Sequence, residues 1–281
     1  LANTGWAQTF AKLNVQGAEA HLAGRYADAE SLFRNALAES AGASDEQRAV
    51  MWSNLAAACK RQDRYQEAES AFEQAVALRL RARGSGHELY ALALNSLAET
   101  RRLLGRPGAA RLFERALEAL PETASQADRA VLLNNVGTMR LEQRRFREAL
   151  GLLEQALRLK ESIFPASHPQ IAVTLNNLAS VQHELRHYAE AEAMHLRALA
   201  IWEVDQSSAS DASLTLTNLG RLYASMKRWS EADTMHRRAL SILERAGLAE
   251  SRFAEGVWHN LAQAYARRDD TIAAAYAFER C

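Results

Sequence analysis

Apolar residues near the middle of the chain fall at three- and four-residue steps. Leu175, Leu178, Val181 and Leu185 form one run, the polar pair Arg186-His187 interrupts it, and Tyr188, Ala191, Met194, His195, Ala198 and Ile201 form a second. Such spacing puts each run on one face of a helix, so the stretch predicts two helices joined by a short turn.

The pattern recurs. Thr174-Leu175-Asn176-Asn177-Leu178-Ala179 has imperfect copies at Trp52-Ser53-Asn54-Leu55-Ala56, Leu94-Asn95-Ser96-Leu97-Ala98, Leu133-Asn134-Asn135-Val136-Gly137, Leu216-Thr217-Asn218-Leu219-Gly220 and Trp258-His259-Asn260-Leu261-Ala262. A second column, Tyr26, Tyr65, Pro107, Phe146, Tyr188, Trp229 and Thr271, repeats at intervals of 39 to 42 positions, as the first does. Two columns with one period define a helix-turn-helix unit of about forty residues, in which each unit packs on its neighbours. Small residues occupy the middle of the first helix (Gly17, Ala56, Ala98, Gly137, Ala179, Gly220, Ala262) and the start of the second (Ala29, Ala68, Ala149, Ala191, Ala232, Ala274). Helices lacking bulk at these points can approach closely, with the neighbouring aromatic filling the gap.

Leu followed by a small residue in the first helix, an aromatic at the turn and paired alanines in the second resemble the tetratricopeptide repeat. The usual period there is about 34 residues, so these units are longer. His168-Pro169-Gln170-Ile171-Ala172, Leu175-Asn176-Asn177-Leu178-Ala179 and Tyr188-Ala189-Glu190-Ala191-Glu192 together look like the long repeats of kinesin light chains. The resemblance implies an all-α solenoid of about seven repeats forming a right-handed superhelix, with first helices lining a concave surface that grips a peptide. HEAT and armadillo arrays have a compatible period, but the turn aromatic with paired alanines favours the tetratricopeptide pattern.

The expected partition is one solenoid domain over residues 1–281, with units at 10–48, 49–90, 91–129, 130–171, 172–212, 213–254 and 255–281. The third unit carries Pro107 where the others have an aromatic, flanked by Gly105 and Gly108, which marks it as a candidate hinge. No polar helix follows the last unit, which predicts a fragment of a longer protein or an oligomer that covers the open end.

Composition narrows the function. The chain is 48% hydrophobic with only four prolines, which agrees with helix. Lysine plus arginine and aspartate plus glutamate are both 34, so no general field attracts nucleic acid. Cys59 and Cys281 lie near opposite ends of the array, out of reach of a disulfide within one monomer; Cys59 is expected as a buried hydrophobe. There is no apolar run of spanning length and no opening signal segment, which argues against membrane insertion and for the cytoplasm. Leu1 in place of Met leaves a removed leader or preceding domain open.

Candidate chemistry is sparse. His183-Glu184-Leu185-Arg186-His187 matches the HExxH pattern in which one helix offers two histidines to zinc and a glutamate to water. In register with the other units, however, His187 falls in the turn, so a zinc peptidase is the weakest of three readings. No phosphate-binding loop, nucleophile elbow or activated cysteine is present, and no cofactor is implied.

Asparagine is a mediocre helix former, so its recurrence needs a reason. One reading makes Asn54, Asn135, Asn177, Asn218 and Asn260, with Asn95, Asn134 and Asn176 one residue earlier and Arg221 one turn beyond, a ladder of contacts to the backbone of a bound peptide. Adjacent helices lie about 8–10 Å apart and an extended peptide advances about 3.3 Å per residue, so the pitch fits. The competing reading has each amide bond the adjoining repeat and hold the array together. Lys60, Arg61 and Arg102 gather cations in units two and three, which suits an acidic ligand there or merely complements helix C-termini. The sequence as a whole predicts a non-catalytic adaptor that holds a protein or peptide partner. The alternative is a sensory or autoinhibitory module of a larger enzyme or regulator.

Overall fold

The structure is a computed structural model that describes residues 5–205 and 208–281. Residues 1–4 and 206–207, which the seven-unit partition includes, lie outside the described residues. Two compact units meet at Leu132 and Leu133 and are taken one at a time.

The first unit holds three helical hairpins: α1 (Gly5–Leu22) with α2 (Tyr26–Ala38), α3 (Asp45–Lys60) with α4 (Tyr65–Arg83), and α5 (Glu88–Leu103) with α6 (Ala109–Ala119). The boundary falls within α7 (Gln126–Glu142). In the second unit follow α8 (Phe146–Ile163), α9 (Pro169–Glu184) with α10 (Tyr188–Asp205), α11 (Ala209–Ser225) with α12 (Trp229–Arg245), and α13 (Arg252–Ala266) with α14 (Thr271–Glu279). There are no strands among the described residues, and no helix is long and apolar enough to cross a membrane.

Each first helix stops by the same device. Gly24, Asp63, Gly105, Arg144, Arg186, Lys227 and Asp269 all take positive φ, between 57° and 74°. The next residue donates its N–H five positions back, as from His187 to Gln182 O (2.9 Å) and from Arg64 to Cys59 O (3.0 Å). This pairing with the carbonyls of the last turn is the Schellman stop, and it fixes where the second helix begins. Five of the seven left-handed residues carry side chains, at a cost glycine would avoid. The pattern explains why no glycine announces these turns in the sequence.

The two helices of a hairpin meet where a small residue faces a bulky one. Phe33, Phe72, Phe113, Leu153, His195, His236 and Phe278 form a column four residues after the first small position of the second helix. An added Cβ would lie 2.5 Å from the Phe33 ring at Gly17, 2.7 Å from Leu153 at Gly137 and 2.7 Å from His236 at Gly220. Phe33, Phe113, Leu153, His195 and His236 are all buried. Side chains of this size fit only because the opposing backbone is bare or carries a methyl group.

The third hairpin departs from the pattern as Pro107 foreshadows. α6 starts at Ala109, behind Gly108 at φ 89° with no side-chain cap, and is shorter than its counterparts α4 and α8. Cys59 is buried, as its sequence context suggests. At the other end, α14 leaves Ile272, Tyr276 and Phe278 exposed.

Turn arginines tie some successive hairpins together. Arg64 reaches Glu30 (2.5 Å) and Arg106 reaches Glu69 (2.5 Å) in the first unit, and Arg228 reaches Glu192 (2.7 Å) in the second. The acid is the residue just after the first alanine of the preceding second helix. At the equivalent places Ala110 and Leu150 have no carboxylate, and Arg145 turns instead to Glu148 in its own helix (2.6 Å).

Gly220→Ala is expected to lower stability by about 1–2 kcal/mol, because the overpacking penalty exceeds the gain in helix propensity. In a His236→Ala background the same change should be neutral or stabilising. Urea unfolding of the four proteins checks this, and an equal effect in both backgrounds contradicts the contact.

Candidate functional site

On the first helices of the second unit, polar side chains divide into two layers. The inner layer is a buried network. Lys160, 1% exposed, donates to Gln170 O (3.1 Å), Gln170 Oε1 (3.0 Å) and Thr174 Oγ1 (2.9 Å). Burial pushes its pKa down to about 8, so the three acceptors are what allow an ammonium there at neutral pH. The Thr174 hydroxyl in turn lies 3.1 Å from Asn134 Oδ1.

The asparagines are part of this construction. Asn177 Nδ2 donates to Asn134 Oδ1 (3.3 Å) and Thr138 Oγ1 (3.1 Å) of the preceding repeat. Asn218 Nδ2 donates to Asn176 Oδ1 (3.3 Å), and in the first unit Asn54 Nδ2 donates to Asn14 Oδ1 (3.3 Å). Asn134 also bonds Asn135 Oδ1 (3.3 Å). Asn95, Asn134 and Asn176 are buried, whereas Asn54, Asn135, Asn177, Asn218 and Asn260 are half-buried. Each later asparagine thus reaches back to the earlier asparagine of the repeat before it, which is the geometry of the competing, architectural reading. Asn260 differs, donating to Gly256 O in its own helix (2.7 Å), and Ser96, which breaks the column, likewise bonds Leu92 O (3.1 Å).

The outer layer forms a trough. A cavity of about 360 Å³ is lined by residues that include Arg144, His183, Arg221, Ser225, Asn260 and Gln263. A second, of about 290 Å³, shares Arg144, His183 and Arg221 with it and adds Ser180 and Asn218. Of the sequence-predicted positions, the structure therefore brings Asn218, Arg221 and Asn260 to one concavity. Asn135 and Asn177 do not line either cavity, and Asn54 and Asn95 belong to the first unit.

Electrostatics separate the two units. In the first, Lys60 pairs with Glu99, Arg61 lies over the Tyr26 ring, and Arg101 holds Glu69 (2.8 Å) and Glu73 (2.6 Å). The cations that suggested an acidic ligand in units two and three are thus largely occupied. His236 stands at the floor of the larger cavity, wholly buried, with no hydrogen-bond partner for either ring nitrogen. Burial lowers its pKa to about 4, outweighing the Asp233 carboxylate and the nearby carbonyls of Thr217 and Ala232. His195, buried in the same column, is lowered to about 3, again by burial. Both fold as neutral rings. Their contribution to stability is present above the ordinary histidine range near 6.5 and is lost as pH falls toward 3–4. Sequence reasoning placed His195 on the packed face but did not single out His236, whose only sequence signal is its place in a column of phenylalanines.

The HExxH stretch is split by the turn. α9 ends at Glu184 and Arg186 takes φ 65°, so His183 and His187 do not share a helical face. His183 Nε2 sits 2.8 Å from Ser225 Oγ, and His187 Nδ1 sits 2.8 Å from Gln182 Oε1. Elsewhere Glu30, Cys59 and Glu67 converge. Their carboxylates are engaged by Arg34 and Arg64, and burial pushes the Cys59 thiol up, so this cluster is an ion-pair network. Burial acts to raise the Glu30 pKa, but hydrogen bonds from Gln62, Arg34 and Arg64 prevail and lower it.

Asn177→Ala removes two inter-repeat bonds and is expected to cost about 1–2 kcal/mol in denaturant unfolding, whereas Asn260→Ala, which loses one bond within its own helix, should cost less than about 0.5 kcal/mol. Equal losses would remove the distinction between the two positions.

Comparison with known proteins closes the assignment. The tetratricopeptide-repeat family matches residues 47–122 and 128–203, and a second group of the same repeat matches 214–246. No significant match was found among curated protein sequences. The structure is similar to apo RapI (TM-score 0.77, 16% identity, covering 96% of this chain and 95% of that one). It is also similar to the quorum sensor NprR from B. thuringiensis (TM-score 0.73, 16% identity, 98% and 76%). A protein of Podosopora anserina with nearly identical repeats, assigned to the kinesin light chains, matches with TM-score 0.57 and 20% identity over 71% and 96%. At these identities the likenesses speak to the fold, and the family matches speak to the chain: it belongs to the tetratricopeptide-repeat family.

Proposed function

We propose that this chain is a non-catalytic interaction scaffold that holds an extended segment of a partner protein in the trough of its second unit. The observation that carries the reading is the pair of adjoining cavities. They are walled by polar side chains of successive first helices, above a network whose own hydrogen bonds are already made. Asn218 and Asn260 spend their amide hydrogens on the protein as Asn177 does, yet their positions at the trough leave carbonyl lone pairs for a ligand's backbone N–H groups. The asparagine ladder is then a buttress whose outer edge serves as a contact line, and Asn134 and Asn176 take the buttress role alone. Extended chain suits such a trough because each of its backbone groups can be met without regard to side chain.

A second reading, a sensory module, is favoured by the likeness to NprR, described as a quorum sensor, of which this chain matches 76%. Both readings place the ligand in the same trough and differ in what binding does.

Ser225 is exposed on the wall of the larger cavity, so Ser225→Trp should fill it without disturbing the fold. The wild-type chain is expected to enrich specific sequences from a random-peptide library, and the variant to lose affinity for them at least about tenfold. Unchanged binding by the variant places the ligand elsewhere and contradicts the proposal.

A further inference from the structure

Among the described residues, most arginines that have a printed contact meet carboxylates. Arg34, Arg64, Arg101, Arg106, Arg228 and Arg237 each pair with glutamate or aspartate. The larger cavity of the second unit is different. Arg144, Arg186, Arg221 and Arg267 border it from four successive repeats, and none makes an ion pair. Arg144 lies over the Phe146 ring, 5.8 Å from its centre, and Arg221 reaches only Asn218 Oδ1, at 3.5 Å. Glu184 is the one carboxylate in the lining. Four guanidinium groups and a single acid around about 360 Å³ make a strongly positive recess in a chain of zero formal charge.

Their field is felt inside the site. The pKa of His183, on the wall, is lowered first by burial and then by Arg221 and Arg267, against the opposing pull of Glu184. The floor supplies an independent observation. His236 is wholly buried and unpartnered, and it lines this recess against Gly220, where a Cβ would come within 2.7 Å of its Nε2. A buried imidazole with both nitrogens unmet is costly unless something completes it, and a ligand oxygen can accept the proton its neutral ring carries.

We infer that the recess is an anion site that seats the carboxylates of an acidic peptide segment, with Arg144, Arg186, Arg221 and Arg267 as the counter-charges and His236 as a donor beneath them. The inference rests on the proposed scaffold reading and specifies the ligand's chemistry. Arginine suits the task because its planar fork meets a carboxylate through two parallel hydrogen bonds. Guanidinium groups from successive repeats favour several acids spread along a chain over one compact ion. The exposed rim makes the attraction dependent on ionic strength.

The test is selection from a random-peptide library on the full chain at physiological salt, repeated with Arg221→Gln/Arg267→Gln and with Arg221→Lys/Arg267→Lys. Both positions are exposed and unpaired, so the far-ultraviolet spectrum and melting midpoint should stay at the wild-type values. The wild type is expected to enrich sequences rich in aspartate and glutamate. One such peptide should bind the glutamine variant about tenfold or more weakly, bind the lysine variant with an intermediate loss, and weaken as salt is added. Enrichment of neutral peptides, or an acidic bias that persists in the glutamine variant, overturns the anion site while leaving the scaffold reading intact. Failure to enrich any peptide overturns both. Displacement of the bound peptide by inorganic phosphate but not by glutarate assigns the recess to a compact phosphate and overturns the carboxylate assignment.

Discussion

Everything in this chain depends on how closely the two helices of a hairpin can approach. At Gly17, Gly137 and Gly220 the opposing side chain already occupies the space a Cβ would need, and Ala56, Ala98, Ala179 and Ala262 take the same position with a single methyl group. That contact sets the hairpin's separation, the left-handed residue that ends each first helix sets its turn, and repetition sets the array. Polar groups on the first helices are then brought into register once per repeat. The trough of the second unit follows from this spacing.

Within that frame the same residue type does two jobs. Asn134 and Asn176 are buried acceptors in a network that starts at Lys160, and the amides of Asn177 and Asn218 close it from the next repeat. A buried amide must be satisfied, so the repeat that supplies one asparagine needs a partner from its neighbour. Recurrence of asparagine has an architectural cause before any ligand is considered, and only where the column reaches the trough, at Asn218 and Asn260, does a binding role add to it.

The hairpins, their period and the family were legible in the sequence because small, bulky and aromatic positions repeat in fixed columns that one alignment exposes. The weakness of the third hairpin was legible too, in Pro107. Direction was not. Whether Asn177 points outward or back to Asn134 depends on the offset between neighbouring helices, which no single repeat encodes. The turn residues were hidden for a local reason, since Asp63, Arg144, Arg186, Lys227 and Asp269 adopt a glycine-like conformation without being glycine. Charge pairing was likewise invisible: Lys60 and Arg101 looked available beside Arg221 and Arg267, and only the positions of Glu99, Glu69 and Glu73 on neighbouring helices distinguish them. His236 escaped notice because a histidine in a phenylalanine column reads as packing.

The account turns on the first-helix face of the second unit being where a partner segment lies. Amide hydrogen exchange of the full chain, with and without a library-selected peptide, addresses this directly. The account predicts added protection at the ends of α9, α11 and α13, around residues 180–186, 218–226 and 260–268, with α12 and the exposed α14 face unchanged. Protection confined to α12 or to the Ile272, Tyr276 and Phe278 surface would contradict it.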